Sequence, residues 1–366
     1  MRGDATAVQL LIQMLPFMNA RMQGLYKLGR AAHADPIPFA LKGGMVATAS
    51  LFLWTFNKDD DRWKELEDWD KWTYYHFWIG KDHYRIPKPF EIGALFSSLW
   101  ESAAETIAGD EDIGFFADFL QFMMMDAFAL NPFPQLVRPA MEQWANKSFF
   151  TGRPIESERL QNLRPGERFD PWTSKTLQLA GKWGIPPKRA EALIQGYFAT
   201  VGTLGLSIAD SMTHYLGDFP ENPTKEMKDY PVIGRFMRGE EIPRTTKYVT
   251  RFYEIMQEID QFVGTVNLYK NTGNYKRARE IMTENRGYLM LKAPLNTVRT
   301  DLREVNANIR KVYQSNMEPD KKRDMLNRFT KYRNDKVKLA YSLIEKAKKR
   351  EKELSTPAFG PKPPQK

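Results

Sequence analysis

The sequence predicts an all-α protein, with an aromatic-rich multi-helix body followed by an antiparallel helical bundle or coiled coil. Two observations predict this class. Apolar residues recur at helical spacing through most of the 366 residues, whereas no segment shows strong two-residue alternation. After residue 244, apolar seams with heptad spacing follow one another, which is typical of helices that pack lengthwise. Short connections between the seams favour a bundle within one chain over pairing between chains.

The body is predicted to occupy residues 1–147. Its helices are expected at residues 5–32, 38–56, 90–108, 112–130 and 135–147. Prolines end or start several of them, because a residue before proline disfavours the helical conformation; Asp35-Pro36 is one such boundary.

The segment 59–79 is rich in tryptophan. Its tryptophans are spaced by 6, 3 and 6 residues, which approximates one face of a further helix; they are Trp63, Trp69, Trp72 and Trp78. Pro87 and Pro89 then predict an extended backbone over residues 83–90.

Two segments are apolar enough to raise the question of a membrane. Residues 39–56 contain one charged residue, Lys42, and 18 residues of helix span about 27 Å, just short of a hydrocarbon core. We therefore favour a buried core helix there over a spanning one. Residues 192–209 carry no charge, and Gly202-x-x-Gly205 would let another helix approach closely, in a tight core or a membrane.

Residues 148–243 are predicted to combine proline-rich connectors with this second apolar helix. The connectors cover 148–172 and 219–244, and the helices between them are expected at 173–183 and 187–217. A connector of this length is ordered only if it packs on the body.

Residues 244–353 are predicted to form the bundle. The first seam follows strict 4-3 spacing through Tyr248, Phe252, Ile255, Ile259, Phe262, Val266 and Tyr269. The second consists of Val298, Leu302, Val305, Ile309 and Val312, with a shorter helix at 275–292 between the two. A last helix at about 319–352 bears Met325, Phe329, Tyr332, Leu339 and Leu343 on a basic background. Residues 354–366 form a proline-rich tail that is expected to be disordered.

The net charge of +9 is unevenly distributed. Residues 299–366 hold 19 Lys and Arg against 9 Asp and Glu, whereas residues 1–298 hold 35 against 36. Such asymmetry suggests a basic arm that contacts nucleic acid or anionic lipid, or else a solvated helix face. The candidate contact residues are Arg323, Arg328, Lys331, Arg333, Lys336, Lys338, Lys346, Lys348, Lys349 and Arg350.

The sequence gives little support for catalysis. The absence of cysteine excludes disulfides, thiol catalysis and Cys-ligated metal, and no phosphate-binding loop or HExxH motif is present. His76 and His83 are expected to be packed and hydrogen-bonded, not metal ligands. Asp59–Asp61 are expected to cap a helix, with a divalent cation site as the weaker alternative. We therefore expect no enzyme, no cofactor and no metal site.

Several short phrases occur in a characteristic order along residues 5–260. They include Pro16-Phe17-Met18-Asn19-Ala20, Arg85-Ile86-Pro87-Lys88-Pro89-Phe90, Asn131-Pro132-Phe133-Pro134, Phe150-Thr151-Gly152-Arg153-Pro154 and Pro231-Val232-Ile233-Gly234-Arg235-Phe236. Together they resemble the large polyvalent protein-associated domain of giant bacteriophage proteins. Such proteins look like internal virion, or ejection, proteins, which are packed in the capsid and expelled into the host with the DNA. The resemblance carries over no catalytic residue.

This resemblance implies a non-enzymatic structural protein of a phage virion that helps form or line a conduit across the host envelope. Its expected location is the capsid interior and then the host cell envelope. Its expected partners are further copies of itself or other virion proteins, with possible contact to the host membrane and non-specific contact to DNA. The alternative is a nucleic-acid-binding accessory module of a larger phage protein, delivered with the genome. It predicts salt-dependent DNA binding through the basic C-terminus.

Overall fold

The computed structural model describes residues 16–127, 137–149, 153–170, 172–216, 220–230, 233–239, 242–243 and 245–355. The chain forms two compact units. The N-terminal unit comprises Met1–Pro220 and Thr224–Glu241, and the C-terminal unit comprises Glu221–Pro223 and Ile242–Lys366. Helices dominate both units, which confirms the predicted all-α class. Residues 5–15 of the first predicted helix and residues 356–366 of the predicted disordered tail lie outside the described residues.

The N-terminal unit begins with two long helices, α1 (Pro16–Ala34) and α2 (Pro36–Asn57). The short helices α3 (Asp61–Glu65) and α4 (Asp68–Thr73) follow. Asp60 caps α3 by accepting a 2.8 Å hydrogen bond from the backbone N–H of Arg62, which confirms the predicted capping role of this aspartate cluster. The prediction of one tryptophan-lined helix over 59–79 is wrong, because extended backbone between α3 and α4 divides the segment.

A small antiparallel sheet is the main departure from the prediction. Strands β1 (Tyr74–Ile79) and β2 (Asp82–Pro87) form a hairpin, and β3 (Met237–Gly239) pairs with β2. Gly80 begins the two-residue turn with a φ of 62°, which glycine adopts readily. β1 reads Tyr-Tyr-His-Phe-Trp-Ile, so large side chains occupy both faces and no polar alternation marks the strand. The extended backbone predicted from the prolines is confirmed up to Pro87.

A continuous helical segment follows the hairpin. It consists of α5 (Phe90–Gly93), a π-helical turn (Ala94–Ser98) and α6 (Leu99–Ala108). The π-turn buries two consecutive serines, Ser97 and Ser98, on the side of the sheet. Helix α7 (Ile113–Phe122) then runs into a second π-turn (Met123–Ala127).

The rest of the N-terminal unit contains three short helices and one long helix. Its elements are α8 (Arg138–Ala145), α9 (Glu158–Gln161), α10 (Lys175–Ala180) and α11 (Pro187–Leu216). The predicted connector 148–172 packs on the unit through the buried side chains of Glu156 and Leu160. Helix α11 is interrupted at Ala199, whose φ of 46° and ψ of −123° are not helical.

The C-terminal unit is a helical bundle. It contains α12 (Lys247–Asn271), α13 (Tyr275–Glu284), α14 (Arg286–Gln314) and α15 (Pro319–Ser355). The predicted seams meet inside it: Phe252 and Ile259 of α12 pack with Leu302 of α14 in one apolar core. The heptad spacing therefore correctly predicted which faces of α12 and α14 are buried.

The apolar residues noted on the last helix differ in their exposure. Tyr332, Leu339 and Leu343 are exposed, and the face of α15 that enters the core carries Leu326, Val337, Ala340 and Ile344 instead. Met325 and Phe329 are half-buried.

Candidate functional site

Several charged side chains are buried in the interior of the N-terminal unit. On the hairpin, the residues that share the inner face are Tyr74, His76, Trp78, His83 and Arg85. We call Asp70, His76, His83, Arg85 and Arg238 the Asp70 cluster, and Ser50, Lys88, Ser98 and Glu101 the Glu101 cluster. The sequence predicted none of these charged contacts, because the partners lie on separate elements and no local motif links them.

Asp70 is the centre of its cluster. Its Oδ1 accepts a 2.6 Å hydrogen bond from Arg85 Nη1, and its Oδ2 lies 3.5 Å from Arg238 Nη2. Burial alone would raise the pKa of Asp70, but interaction with His76, Arg238 and Arg85 outweighs burial and holds that pKa below its usual value. The arginine from β3 thus helps to keep a buried carboxylate ionised.

The two histidines of the cluster form a hydrogen-bonded pair, which confirms the prediction that they are packed. Nδ1 of His76 lies 2.9 Å from Nε2 of His83, and Nε2 of His76 lies 3.1 Å from the backbone oxygen of Asp70. That oxygen can only accept, so His76 carries its proton on Nε2 and accepts the proton of His83 Nε2 at Nδ1. Burial lowers the pKa of His76 to about 4 and that of His83 to about 3, so both rings are neutral at pH 7.

The Glu101 cluster joins the hairpin side of the unit to helix α2. Lys88 Nζ lies 2.5 Å from Glu101 Oε2 and also donates to Ser98 Oγ at 3.1 Å. Ser50, on α2, donates to the other oxygen of Glu101. A second buried carboxylate, Glu105, accepts hydrogen bonds from Trp63 Nε1 at 2.7 Å and Lys71 Nζ at 3.1 Å. These groups satisfy one another inside the unit, which suits a rigid scaffold.

Helix α2 is inverted relative to an ordinary surface helix. Its buried residues are small or polar: Gly43, Ala47, Ser50 and Asn57. Five of its large apolar residues point outward and are exposed by 65–72%: Ile37, Leu41, Met45, Phe52 and Phe56. We call these five residues the α2 outer face. The prediction of a buried core helix is wrong, because these five side chains are exposed and 11% of the tested window of α2 is buried; Gly43 lies so close to Phe96 that a Cβ there would clash.

Helix α11 has the same inversion. Glu191 and Asp210 turn inward, where both accept hydrogen bonds at the start of α10, from Ser174 N at 3.1 Å and Thr176 N at 2.9 Å. The outward residues of α11 are mostly apolar and exposed: Tyr197, Phe198, Val201, Leu204, Ile208 and Met212. Two helices with separate partners therefore both present apolar side chains to the outside.

One helix among the described residues, Pro36–Asn57, is long and apolar enough to cross a membrane, by length and composition. Its mean hydropathy reaches 1.4, and 11% of the tested window is buried.

The predicted basic contact residues lie on α15 in differing environments. Arg328, Lys331 and Lys346 are exposed, and Arg328 pairs with Asp324 at 2.8 Å. Arg323, Lys336 and Lys338 are half-buried, and Lys336 lies 2.7 Å from Asp301. Arg333 is partly buried beside Asn306 and Asn334, and burial lowers its pKa. Lys348, Lys349 and Arg350 belong to the same helix, but their side chains lie outside the described residues.

Another lysine of this helix, Lys322, is fully buried and takes no part in a basic surface. Its Nζ donates to the backbone oxygens of Glu221 at 2.7 Å, Tyr313 at 3.2 Å and Ser315 at 2.7 Å. Burial lowers the pKa of Lys322. This lysine therefore anchors the residue 221 segment to the bundle.

The charge boundary coincides with the boundary between the units. Residues 242–366 hold 28 Lys and Arg against 14 Asp and Glu, whereas residues 1–241 hold 26 against 31. The basic excess therefore belongs to the whole C-terminal unit and begins before residue 299.

Comparison with known proteins identifies a family for the middle of the chain. The model of the family described as large polyvalent protein associated domain 38 matches residues 60–233. No curated protein and no solved structure matches the chain. The matched region contains most of the buried charged residues described above, although Ser50 and Arg238 lie on either side of it. The match over residues 60–233 confirms the resemblance to the large polyvalent protein associated domain and suggests a phage-associated protein.

Proposed function

We propose that this chain is a structural, non-enzymatic protein of the phage virion, expelled with the genome, that helps form or line a conduit across the host envelope. Its location would be the capsid interior and then the host cell envelope. The family supports the phage association, and the α2 outer face is the observation that carries the membrane role.

The α2 outer face fits the apolar part of a bilayer in both length and chemistry. Twenty-two residues of helix extend about 33 Å, which matches a hydrocarbon core of about 30 Å. Five large apolar side chains lie along it, and a soluble protein would gain by burying them.

The opposite face of α2 is held to the protein by specific contacts. Ser50 donates to Glu101, and Asn57 Nδ2 donates to the backbone oxygen of His76 at 2.7 Å. Helix α2 therefore has one face on the protein and one face available to acyl chains. This is the arrangement expected of a conduit wall, whose polar contacts face inward and whose apolar side chains face lipid.

Flotation of the intact chain with neutral phosphatidylcholine vesicles tests this role. At about 0.5 M salt, surface charges are screened, so binding reports apolar contact. We expect the chain to float, and we expect Leu41→Gln/Met45→Gln/Phe52→Gln to reduce the floated fraction at least about tenfold.

A matched triple variant, Ile86→Gln/Ile107→Gln/Trp183→Gln, alters exposed apolar residues away from the α2 outer face and should float like the unaltered chain. Tryptophan fluorescence would show that both variants are folded. An unaltered chain that stays unbound, or a Leu41 triple variant that floats equally well, would contradict the membrane role.

The alternative function is nucleic-acid binding by the C-terminal unit. The observation that favours it is the coincidence of the basic excess with one compact unit. Lysine and arginine neutralise phosphates regardless of sequence, so the expected ligand is DNA without sequence preference.

The salt dependence of binding to mixed-sequence duplex DNA tests this alternative. Lys331→Glu/Lys346→Glu removes two exposed cations and should make the negative slope of log K against log salt shallower by about 2. Lys42→Glu/Lys182→Glu makes the same charge change in the N-terminal unit and should leave the slope unchanged. If both variants changed the slope equally, net charge and not the C-terminal unit would govern DNA binding.

A further inference from the structure

The second half of α11 carries an apolar seam that the described residues leave exposed. Val201 and Ile208 are seven residues apart, and Leu204 and Ser211 repeat with the same period, so the four residues follow the 3-4-3 spacing of a coiled-coil seam. Val201, Leu204 and Ile208 are 73%, 38% and 64% exposed. Tyr197 lies before the break at Ala199, so the continuous seam begins at Val201.

Elsewhere in this chain, the same spacing accompanies helix pairing. The two seams of the C-terminal unit, on α12 and α14, are covered by each other and by α15. The α11 seam has the composition of those seams but lies on the outside of its unit. A partner helix is therefore the element that would complete it.

We propose that the α11 seam pairs with the same seam of a second copy of this chain, as two parallel helices related by a two-fold axis. β-Branched residues at one core position, Val201 and Ile208, and leucine at the other, Leu204, favour two parallel strands. No charged residue occurs between 192 and 209, so no charge opposes the pairing of identical faces.

The side chains of the seam and its neighbour Met212 are exposed along the second half of α11. Val201, Ile208 and the adjacent Met212 are 73%, 64% and 66% exposed, so pairing with a second helix would remove three large apolar side chains from water.

The small residues of α11 would let the two helices approach closely without leaving polar groups unsatisfied. A side chain at Gly205 would meet only open space, so nothing in its own unit requires the glycine. Thr203 and Ser211 donate their hydroxyls to the backbone oxygens of Ala199 at 3.1 Å and Ser207 at 3.0 Å. These hydroxyls need no water or further partner.

A second copy is a better occupant than lipid for this seam. Among the described helices, α2 meets the length and hydropathy of a membrane span, whereas α11 does not. The pairing is independent of the proposed membrane role, so it is tested in buffer without lipid.

Sedimentation equilibrium of the full chain gives the primary test. We expect a dimer, and we expect Leu204→Gln/Ile208→Gln to raise the dimer dissociation constant more than about 100-fold. Ile86→Gln/Ile107→Gln is the matched control and should remain dimeric. A monomeric unaltered chain, or a dimer that survives the Leu204 double variant, would overturn the proposal. Equal tryptophan fluorescence of all three proteins would confirm that each is folded.

Cysteine cross-linking tests the parallel arrangement. The chain has no cysteine, so Ser211→Cys introduces a single thiol at the seam. In a parallel pair the two introduced thiols face each other, and oxidation by copper phenanthroline should yield a covalent dimer. Lys182→Cys places an exposed thiol outside the seam and should yield none. A non-covalent dimer whose Ser211→Cys variant fails to cross-link would contradict parallel pairing.

Discussion

In the C-terminal unit, the buried positions belong to residues such as Phe252, Ile259 and Leu302, while the surface carries most of the charge. In the N-terminal unit, Asp70, Lys88 and Glu101 are buried, while Phe52, Val201 and other large apolar residues are exposed. The first pattern is that of a helical bundle closed around an apolar core. In the second pattern, large apolar side chains remain exposed on the outside of the unit. This indicates that the N-terminal unit buries them against another molecule or a membrane.

The two units can be followed separately in solution. All nine tryptophans and all four histidines occur before residue 215, so tryptophan fluorescence reports the N-terminal unit and only that unit responds to histidine protonation. The predictions below use this separation to test whether the two interiors differ as the contacts indicate.

The largest effect should come from breaking the Lys88–Glu101 pair. Lys88→Met leaves a buried carboxylate without its cation and should lower the free energy of unfolding of the N-terminal unit by about 3–5 kcal/mol. Lys88→Met/Glu101→Leu removes both charges and should regain a large part of that loss. Urea unfolding followed by tryptophan fluorescence measures both. Losses that simply add in the double variant would show that the two side chains do not interact.

The corresponding change in the C-terminal unit is Ile259→Ala. It creates a cavity in an apolar core and should cost about 2–4 kcal/mol. Far-ultraviolet circular dichroism should show the loss, while the tryptophan transition stays in place. Leu268→Ala, at a position that is 60% exposed, should change stability by less than about 0.5 kcal/mol. A shift of the tryptophan transition by Ile259→Ala would refute independent interiors.

Acid should destabilise the N-terminal unit before the C-terminal unit. The folded pKa values of His76 and His83, about 4 and 3, lie below the unfolded value of about 6.5, so between pH 6.5 and 4 the unfolded state binds more protons. The stability contributed by the neutral rings is therefore complete above pH 6.5 and falls as the pH drops, by up to about 1.4 kcal/mol per pH unit for each ring. Urea midpoints measured by tryptophan fluorescence at pH 7, 6 and 5 give the slope of stability against pH.

Two variants test the assignment of this slope. His83→Gln should reduce the slope by about half, whereas His33→Gln, at an exposed position, should leave it unchanged. A wild-type slope near zero would show that the histidine pair is not buried in the neutral form.

The smallest effect should come from the break in α11. Ala199 has a backbone conformation that suits glycine, so Ala199→Gly should stabilise the N-terminal unit by about 0.5–1 kcal/mol. Ala192→Gly lies in the regular part of the helix and should destabilise it by about 1 kcal/mol. Thermal unfolding followed by tryptophan fluorescence distinguishes the two signs, and a loss of stability in both variants would mean that α11 is continuous.

The sequence predicted local features better than burial. Heptad spacing was sufficient to place Phe252, Ile259 and Leu302 in a core, because it specifies both the helix and its buried face. Periodicity could not tell whether Val201 or Leu41 faces inward. A periodic pattern identifies the apolar face of a helix, but it does not show whether another element packs on that face. The hairpin escaped prediction because the aromatic run of β1 does not alternate.

The charged interior could not be predicted for a different reason. Asp70 and Arg238 are far apart in sequence, and so are Ser50 and Glu101. That these residues contact one another is evident only from the fold, which brings them together. The basic contact residues remain a prediction, since the described part of α15 mixes exposed cations such as Lys331 with partly buried ones such as Arg333.

The pairing of β3 with β2 has a consequence for the order of folding. Arg85 N donates to the backbone oxygen of Phe236 at 2.8 Å, so the sheet closes a loop of about 150 residues. The bundle that follows is built mainly from helices adjacent in sequence, and such local contacts form faster. A ribosome must therefore release residues up to about 239 before the N-terminal unit can complete its sheet, and in refolding from denaturant the C-terminal bundle should reach its native state first.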